Sequence, residues 1–141
     1  MHHHPNYSWA LAHQGETYFY MGSYKDAVEA FTKAIKLNPN YAWAIAHRGR
    51  VLRYLGLNER AAKHFKRSID LIPEYAWSHA YLSVIYALMD QYKKAWDCLM
   101  RAIELDPTLP IEALKSTQVS HLETTMLRSN VQVEELEFER E

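Results

Sequence analysis

Apolar residues recur at steps of three and four along most of the chain, as in Ala27, Phe31, Ala34 and Ile35, and again in Ala61, Phe65 and Ile69. That spacing gathers them on one side of a helix and predicts amphipathic α-helices rather than strands. The pattern breaks at Gly22-Ser23-Tyr24, Gly56-Leu57-Asn58 and Asp90-Gln91. It breaks again at Asn38-Pro39, Ile72-Pro73 and Asp106-Pro107, where the proline ring forbids a continuing helix. Helices are therefore expected near residues 8–21, 25–37, 42–55, 59–71, 76–89 and 93–105. A last apolar stripe, Ile111, Leu114, Leu122 and Met126 with Val119 alongside, predicts a further helix over 111–128.

The interruptions are themselves periodic. Gly15 and Gly49, Gly22 and Gly56, and the ladder Pro5, Pro39, Pro73 and Pro107 all step by 34 residues, as do Trp9, Trp43 and Trp77. Three copies follow, at residues 8–41, 42–75 and 76–109, each a pair of helices. They share Ala12/Ala46/Ala80, Gly15/Gly49/Ser83, Ala27/Ala61/Ala95 and Phe31/Phe65/Leu99. The small residues let two helix backbones approach while the large one fills the space beside them. A unit of this size cannot bury its outer faces alone, so the copies must stack.

Composition narrows the function classes. The chain has 141 residues, 48% of them hydrophobic, so it can bury a real core. It carries no apolar run near the ~18 residues a membrane span needs, so no membrane partner is expected. The single cysteine, Cys98, excludes a disulfide framework and a Cys-based zinc site. No Gly-rich phosphate loop, nucleophile elbow or zinc-binding His-Glu pattern appears, so neither catalysis nor a cofactor is expected. His13 and His47 repeat, but equivalent positions on packed helices lie ~10 Å apart, too far for one metal with bonds of ~2 Å. They are read as polar surface residues, with a pH-dependent role as the alternative. Cys98 has no neighbour in sequence to activate it and is read as a core or boundary residue.

The 34-residue step, the small residues at the eighth and twentieth positions of each copy, the aromatic or leucine at the twenty-fourth and the proline at the thirty-second together resemble the tetratricopeptide repeat. The resemblance covers 102 of the 141 residues. It implies an all-α, right-handed α-solenoid of three helix-turn-helix repeats, closed by the 111–128 helix as a cap. The chain departs from the family in placing its large aromatic at the second position of each copy, where the fourth holds Leu11, Ile45 and His79. The seventh position, usually leucine, is Gln14, Arg48 and Leu82, and the third copy replaces both glycines with Ser83 and Asp90.

In this family the first helix of each unit lines a concave surface. The resemblance therefore implies a groove of Trp9, Ala12, His13, Glu16, Phe19 and Tyr20, then Trp43, Ala46, His47, Arg50, Arg53 and Tyr54, then Trp77, Ala80, Tyr81, Val84, Ala87 and Leu88. Charge sharpens the picture. The net charge of −1 conceals a second copy with seven basic and three acidic residues, Arg48, Arg50 and Arg53 among the basic ones. Guanidinium groups suit carboxylates or phosphates, so the expected partner is a peptide or protein segment with acidic residues beside apolar ones. Arg48, at the seventh position, is expected to face within its repeat, and Lys63, Lys66 and Arg67 to form a solvated convex face. The tryptophans either contact the ligand or pack on Tyr7, Tyr41 and Tyr75. Co-chaperone members of the family clamp a C-terminal carboxylate, but the corresponding positions here offer Ala12, Glu16, Trp77 and Tyr81, so that clamp is not expected. A nucleic-acid partner is disfavoured by the near-neutral charge.

The ends carry further expectations. His2, His3 and His4 precede a Pro5-Asn6-Tyr7 segment that aligns with Pro39-Asn40-Tyr41, the pattern of a His tag joined to the last residues of a truncated repeat. A chain cut in this way would expose an apolar face on its first helix and pair through it, making self-association the alternative to peptide binding. A third possibility is the regulatory arm of an enzyme whose catalytic domain lies elsewhere. Residues 130–141 hold five glutamates against one arginine and form either a linker or a segment that reaches the groove, since twelve extended residues span ~40 Å. A cytoplasmic location is the default expectation for a chain of this kind.

Overall fold

The computed structural model describes residues 5–109, with side chains from Tyr7 onward. They form six helices: α1 (Pro5–Tyr20), α2 (Tyr24–Leu37), α3 (Ala42–Tyr54), α4 (Asn58–Leu71), α5 (Ala76–Leu88) and α6 (Tyr92–Leu105). The expected capping helix over 111–128, the acidic segment from 130 and His2 to His4 lie outside the described residues. Consecutive helices pack on one another, and α3 additionally touches α1 and α5, so the odd-numbered helices form one layer and the even-numbered helices back it.

The two kinds of break differ physically. Between the helices of one unit the chain reverses through a left-handed residue, Gly22 or Gly56 at φ +79° and Asp90 at φ +60°. At each, two backbone bonds close the preceding helix, such as Leu57 N–H to Leu52 C=O at 2.9 Å and Gly56 N–H to Arg53 C=O at 2.9 Å. Aspartate is among the few residues besides glycine that visit this region, which is why the third unit keeps the turn without a glycine. Between units the residue before each proline is pushed to an extended conformation, with φ near −137° at Asn38, −135° at Ile72 and −144° at Asp106.

Each helix pair is seated on an aromatic ring. A Cβ added at Gly15 would lie 3.0 Å from the Phe31 ring, and one at Gly49 would lie 3.0 Å from Phe65. The rings are 1% exposed and the facing Ala27 and Ala61 fully buried. In the third unit the equivalent positions hold the larger Ser83 and the smaller Leu99, both buried, and the Ser83 hydroxyl donates to the Ala80 carbonyl at 2.6 Å. Successive units are joined by alternate faces of α3. Ala44 and Val51 pack with Phe31 and Ala34 of the first unit, whereas Ala46 and Leu52 join a core running to Leu109. A buried polar link completes the second junction: Ser68 of α4 hydrogen-bonds Ser78 of α5 at 2.7 Å and donates to the Ala42 carbonyl at 3.2 Å.

Pro5, Asn6 and Tyr7 belong to the first turn of α1, where a proline's missing N–H leaves no helix bond unmade. On the outward face of α1, Tyr7, Ala10, Gln14 and Thr17 are exposed, whereas Ala44 and Val51 of α3, equivalent to Ala10 and Thr17, are fully buried. Thr17 returns its hydroxyl to the His13 carbonyl at 3.0 Å.

The seat makes a quantitative prediction. Gly49→Ser alone should cost about 1–3 kcal/mol by overpacking against Phe65. Combined with Phe65→Leu, it should cost less than the two single changes added together, as read by urea denaturation of all four chains.

Candidate functional site

The odd-numbered helices present a continuous aromatic surface, and its order follows from the 34-residue step. At the N-terminal ends of α1 and α3 the Trp43 ring lies between two imidazoles, 4.8 Å from His13 and 4.0 Å from His47. Trp9 continues the row 4.2 Å from His13 and remains 55% exposed. Trp43 stacks on Tyr41 at 6.0 Å, the packing role foreseen for it, while Trp77 stacks on Tyr81 at 5.4 Å. At the opposite end, Phe19 meets Tyr20, Tyr24 and Tyr54 at 5.5, 5.8 and 5.2 Å, and Tyr20 and Tyr54 are open to solvent.

Arg50 ties the three units together. Its guanidinium carbon lies 4.9 Å from the Phe19 ring of the first unit and 4.8 Å from the Tyr81 ring of the third. Cation–π contacts of this kind are worth about 0.5–2 kcal/mol each, the larger values when desolvated. One terminal nitrogen donates to His47 Nδ1 at 3.3 Å, which fixes the proton of that imidazole on Nε2. Two rings and one imidazole thus hold the Arg50 guanidinium in place. Among the described residues no carboxylate forms an ion pair with Arg50 or with Arg53, which lies 5.3 Å from the Tyr54 ring.

Electrostatics show which groups converge here. Burial, then Arg50 and His13, lower the pKa of His47 to about 3. Burial pushes the Tyr75 hydroxyl up to about 12, with Tyr81, Tyr41 and Glu16 adding to the rise and Arg50 opposing it. The Tyr81 hydroxyl is raised too, chiefly by burial, while Arg50 acts against the rise and Tyr20, Tyr54 and Glu16 add to it. Arg50 and Glu16 therefore both act electrostatically on the Tyr75 and Tyr81 hydroxyls. Glu16 lies 3.6 Å from His13 Nδ1.

The structure relocates several residues named from sequence. Trp9, His13, Phe19, Tyr20, Trp43, His47, Arg50, Arg53, Tyr54, Trp77 and Tyr81 all reach solvent or line the shared surface. Val84 and Ala87, assigned to the groove, are 2% and 8% exposed and belong to the core of the last units. Ala12, Ala46 and Ala80 are fully buried beneath the aromatic layer. The charge excess of the second unit is not a groove property. Arg48 turns onto its own repeat, donating to His64 Nε2 at 2.7 Å, and Lys63, Lys66 and Arg67 are exposed on α4. What remains in the groove is Arg50 and Arg53 against Glu16. Tyr75, the last residue of its copy, is not among the groove positions expected from sequence, yet its hydroxyl responds to Arg50 and Glu16. Its 34-residue step from Tyr41 does not say which way a turn residue points.

His47 at such a low pKa does not act as a switch near neutrality. Burial and Asp97 raise the Cys98 thiol to about 11, with Lys66 opposing, which leaves it protonated and unreactive at neutral pH. Among the described residues no group of three or more His, Cys, Asp or Glu side chains could hold a metal, and no helix is long and apolar enough to cross a membrane.

Family profiles described as tetratricopeptide repeat match residues 8–41 and 80–109. No curated protein matches the chain in sequence. Among solved structures, the first TPR of Spaghetti (RPAP3) bound to the HSP90 peptide SRMEEVD aligns with a TM-score of 0.78 at 16% identity, over 90% of this chain and 98% of that one. The first TPR domain of human RPAP3 gives 0.77 at 18%, over 89% and 99%. The Sgt2 TPR domain of Aspergillus fumigatus gives 0.79 at 20%, over 90% and 83%. At these identities the likeness is one of fold.

The buried neutral imidazole sets a pH dependence. Because His47 is harder to protonate folded than unfolded, the unfolded chain binds the extra proton below about pH 6.5. Stability should therefore fall as pH drops from about 6.5 towards 3, and His47→Gln should flatten that slope in thermal melts recorded across the range.

Proposed function

Because the chain belongs to the tetratricopeptide-repeat family, whose domains are non-catalytic scaffolds that bind proteins and peptides, we propose that its aromatic surface takes an extended acidic-aromatic peptide. The single observation that supports this is Arg50, clasped between Phe19 and Tyr81 with no carboxylate partner among the described residues. A half-buried guanidinium already held against two rings loses little further rotamer freedom when a carboxylate meets it. Arg53 supplies a second charge, while Tyr54, Tyr20 and Trp9 supply exposed area for apolar side chains on either side.

Glu16 shapes the specificity. It sits among the tyrosine hydroxyls around Arg50 and repels a carboxylate aimed at that part of the groove, so acidic residues of the ligand are directed to Arg50 and Arg53. The HSP90 peptide carried by the Spaghetti (RPAP3) domain is a poor candidate for this reason. The positions where co-chaperone members hold a terminal carboxylate are Ala12, Glu16, Trp77 and Tyr81, none of them cationic.

A synthetic peptide alternating Glu with Leu and Phe tests the proposal by tryptophan fluorescence. Arg53→Glu should weaken its binding at least tenfold while circular dichroism stays unchanged, and the affinity of the parent chain should fall with added salt. Arg50→Lys should weaken both binding and thermal stability, since it keeps the charge but loses the stacked plane. The peptide SRMEEVD should show no saturable binding. Unchanged binding of the Glu-Leu-Phe peptide to Arg53→Glu would remove the electrostatic part of the proposal.

A further inference from the structure

We infer that the groove has a ligand within its own chain: residues 134–141 dock across Arg50 and Arg53 of the same molecule and compete with any external peptide. This rests on the acidic-peptide specificity proposed above.

Three observations carry it. First, the groove is short of acceptors. Arg50 and Arg53 have no carboxylate partner among the described residues, and the groove's one acid, Glu16, lies beside His13. Second, the segment from 134 has the complementary chemistry. It contains Glu134, Glu135, Glu137, Glu139 and Glu141 with Arg140 as its only cation, and Leu136 and Phe138 lie between the acids. In an extended chain alternate side chains share a side. Glu135, Glu137, Glu139 and Glu141 then point one way, while Leu136 and Phe138 point the other. A groove offering two arginines beside exposed tyrosines accepts both sides of such a strand. The rest of the chain holds no comparable run of acids: the first three copies carry three, three and four acidic residues scattered along 34 positions each.

Third, the length allows it. The described residues end at Leu109 on the third unit, and residues 110–133 separate that point from the acidic segment. Twenty-four residues cover ~36 Å even if fully helical, and neighbouring helices are ~10 Å apart. The path from α6 past α5 to α3 is thus within reach without stretching the connection. An intramolecular ligand on a connection of this length acts at an effective concentration of order millimolar. Even a weak contact would then occupy the groove for much of the time and raise the affinity an outside ligand must have.

The full-length chain is compared with a full-length variant in which Glu134, Glu135, Glu137, Glu139 and Glu141 are all changed to Gln. The probes are the synthetic Glu-Leu-Phe peptide and a synthetic peptide of residues 130–141. The variant should bind both about tenfold more tightly than the parent, and adding Arg53→Glu to the variant should abolish that gain. Equal affinity of parent and variant for the Glu-Leu-Phe peptide would overturn the inference while leaving the proposed specificity intact. Failure of that peptide to bind either chain would remove the specificity and the inference with it. A parent chain that is dimeric by light scattering, with a monomeric variant, would place the segment in a neighbouring molecule and overturn docking within one chain.

Discussion

The structure depends on how closely two helices of a pair can approach, and a phenylalanine ring lying on a glycine sets that distance. Phe31 on Gly15 and Phe65 on Gly49 leave no space for a methyl group, and each ring is closed off from solvent by the neighbouring helices. Fixing one pair in this way also fixes the tilt at which the next pair is received. Repetition every 34 residues then turns a local contact into a layered stack. The third unit reaches a similar pairing with a larger residue, Ser83, opposite a smaller one, Leu99. The constraint is on combined volume at the crossing rather than on glycine as such.

Once the pairs are fixed, the outer edge of each odd-numbered helix has no freedom over which residues its neighbours see. In the first two units the second, sixth, ninth, twelfth and thirteenth positions hold Trp9, His13, Glu16, Phe19 and Tyr20, then Trp43, His47, Arg50, Arg53 and Tyr54. The consequence is a surface whose members stabilise each other before any ligand arrives. Trp43 separates two imidazoles, and Arg50 joins Phe19 of the first unit to Tyr81 of the third. Such preorganisation leaves Arg50 without a carboxylate among the described residues, which is why its chemistry dominates the proposed specificity.

The same packing separates charges that look alike in composition. Seven basic residues in one copy imply a basic unit, yet their helix positions send them to three different environments. Arg48 is spent inside the repeat on His64, the lysines and arginines of α4 face water, and Arg50 and Arg53 remain with Glu16. Net charge per repeat is therefore a poor measure of what a ligand meets.

The sequence by itself determined the all-α class, the number of helices over residues 8–105 and their bounds to within about three residues, because prolines and left-handed turns interrupt helical periodicity at fixed steps. It also pointed to the aromatic positions of the shared surface, since a 34-residue repeat brings equivalent residues into line. It did not determine that Val84 and Ala87 are core, or that Ala10 and Thr17 of α1 stay exposed where Ala44 and Val51 of α3 are buried. Those outcomes depend on which neighbour covers a residue, and burial is a property of the stack rather than of the repeat. Only tertiary structure decided that one arginine of three would be held between two rings from different units, because that contact joins residues 31 positions apart on either side of it.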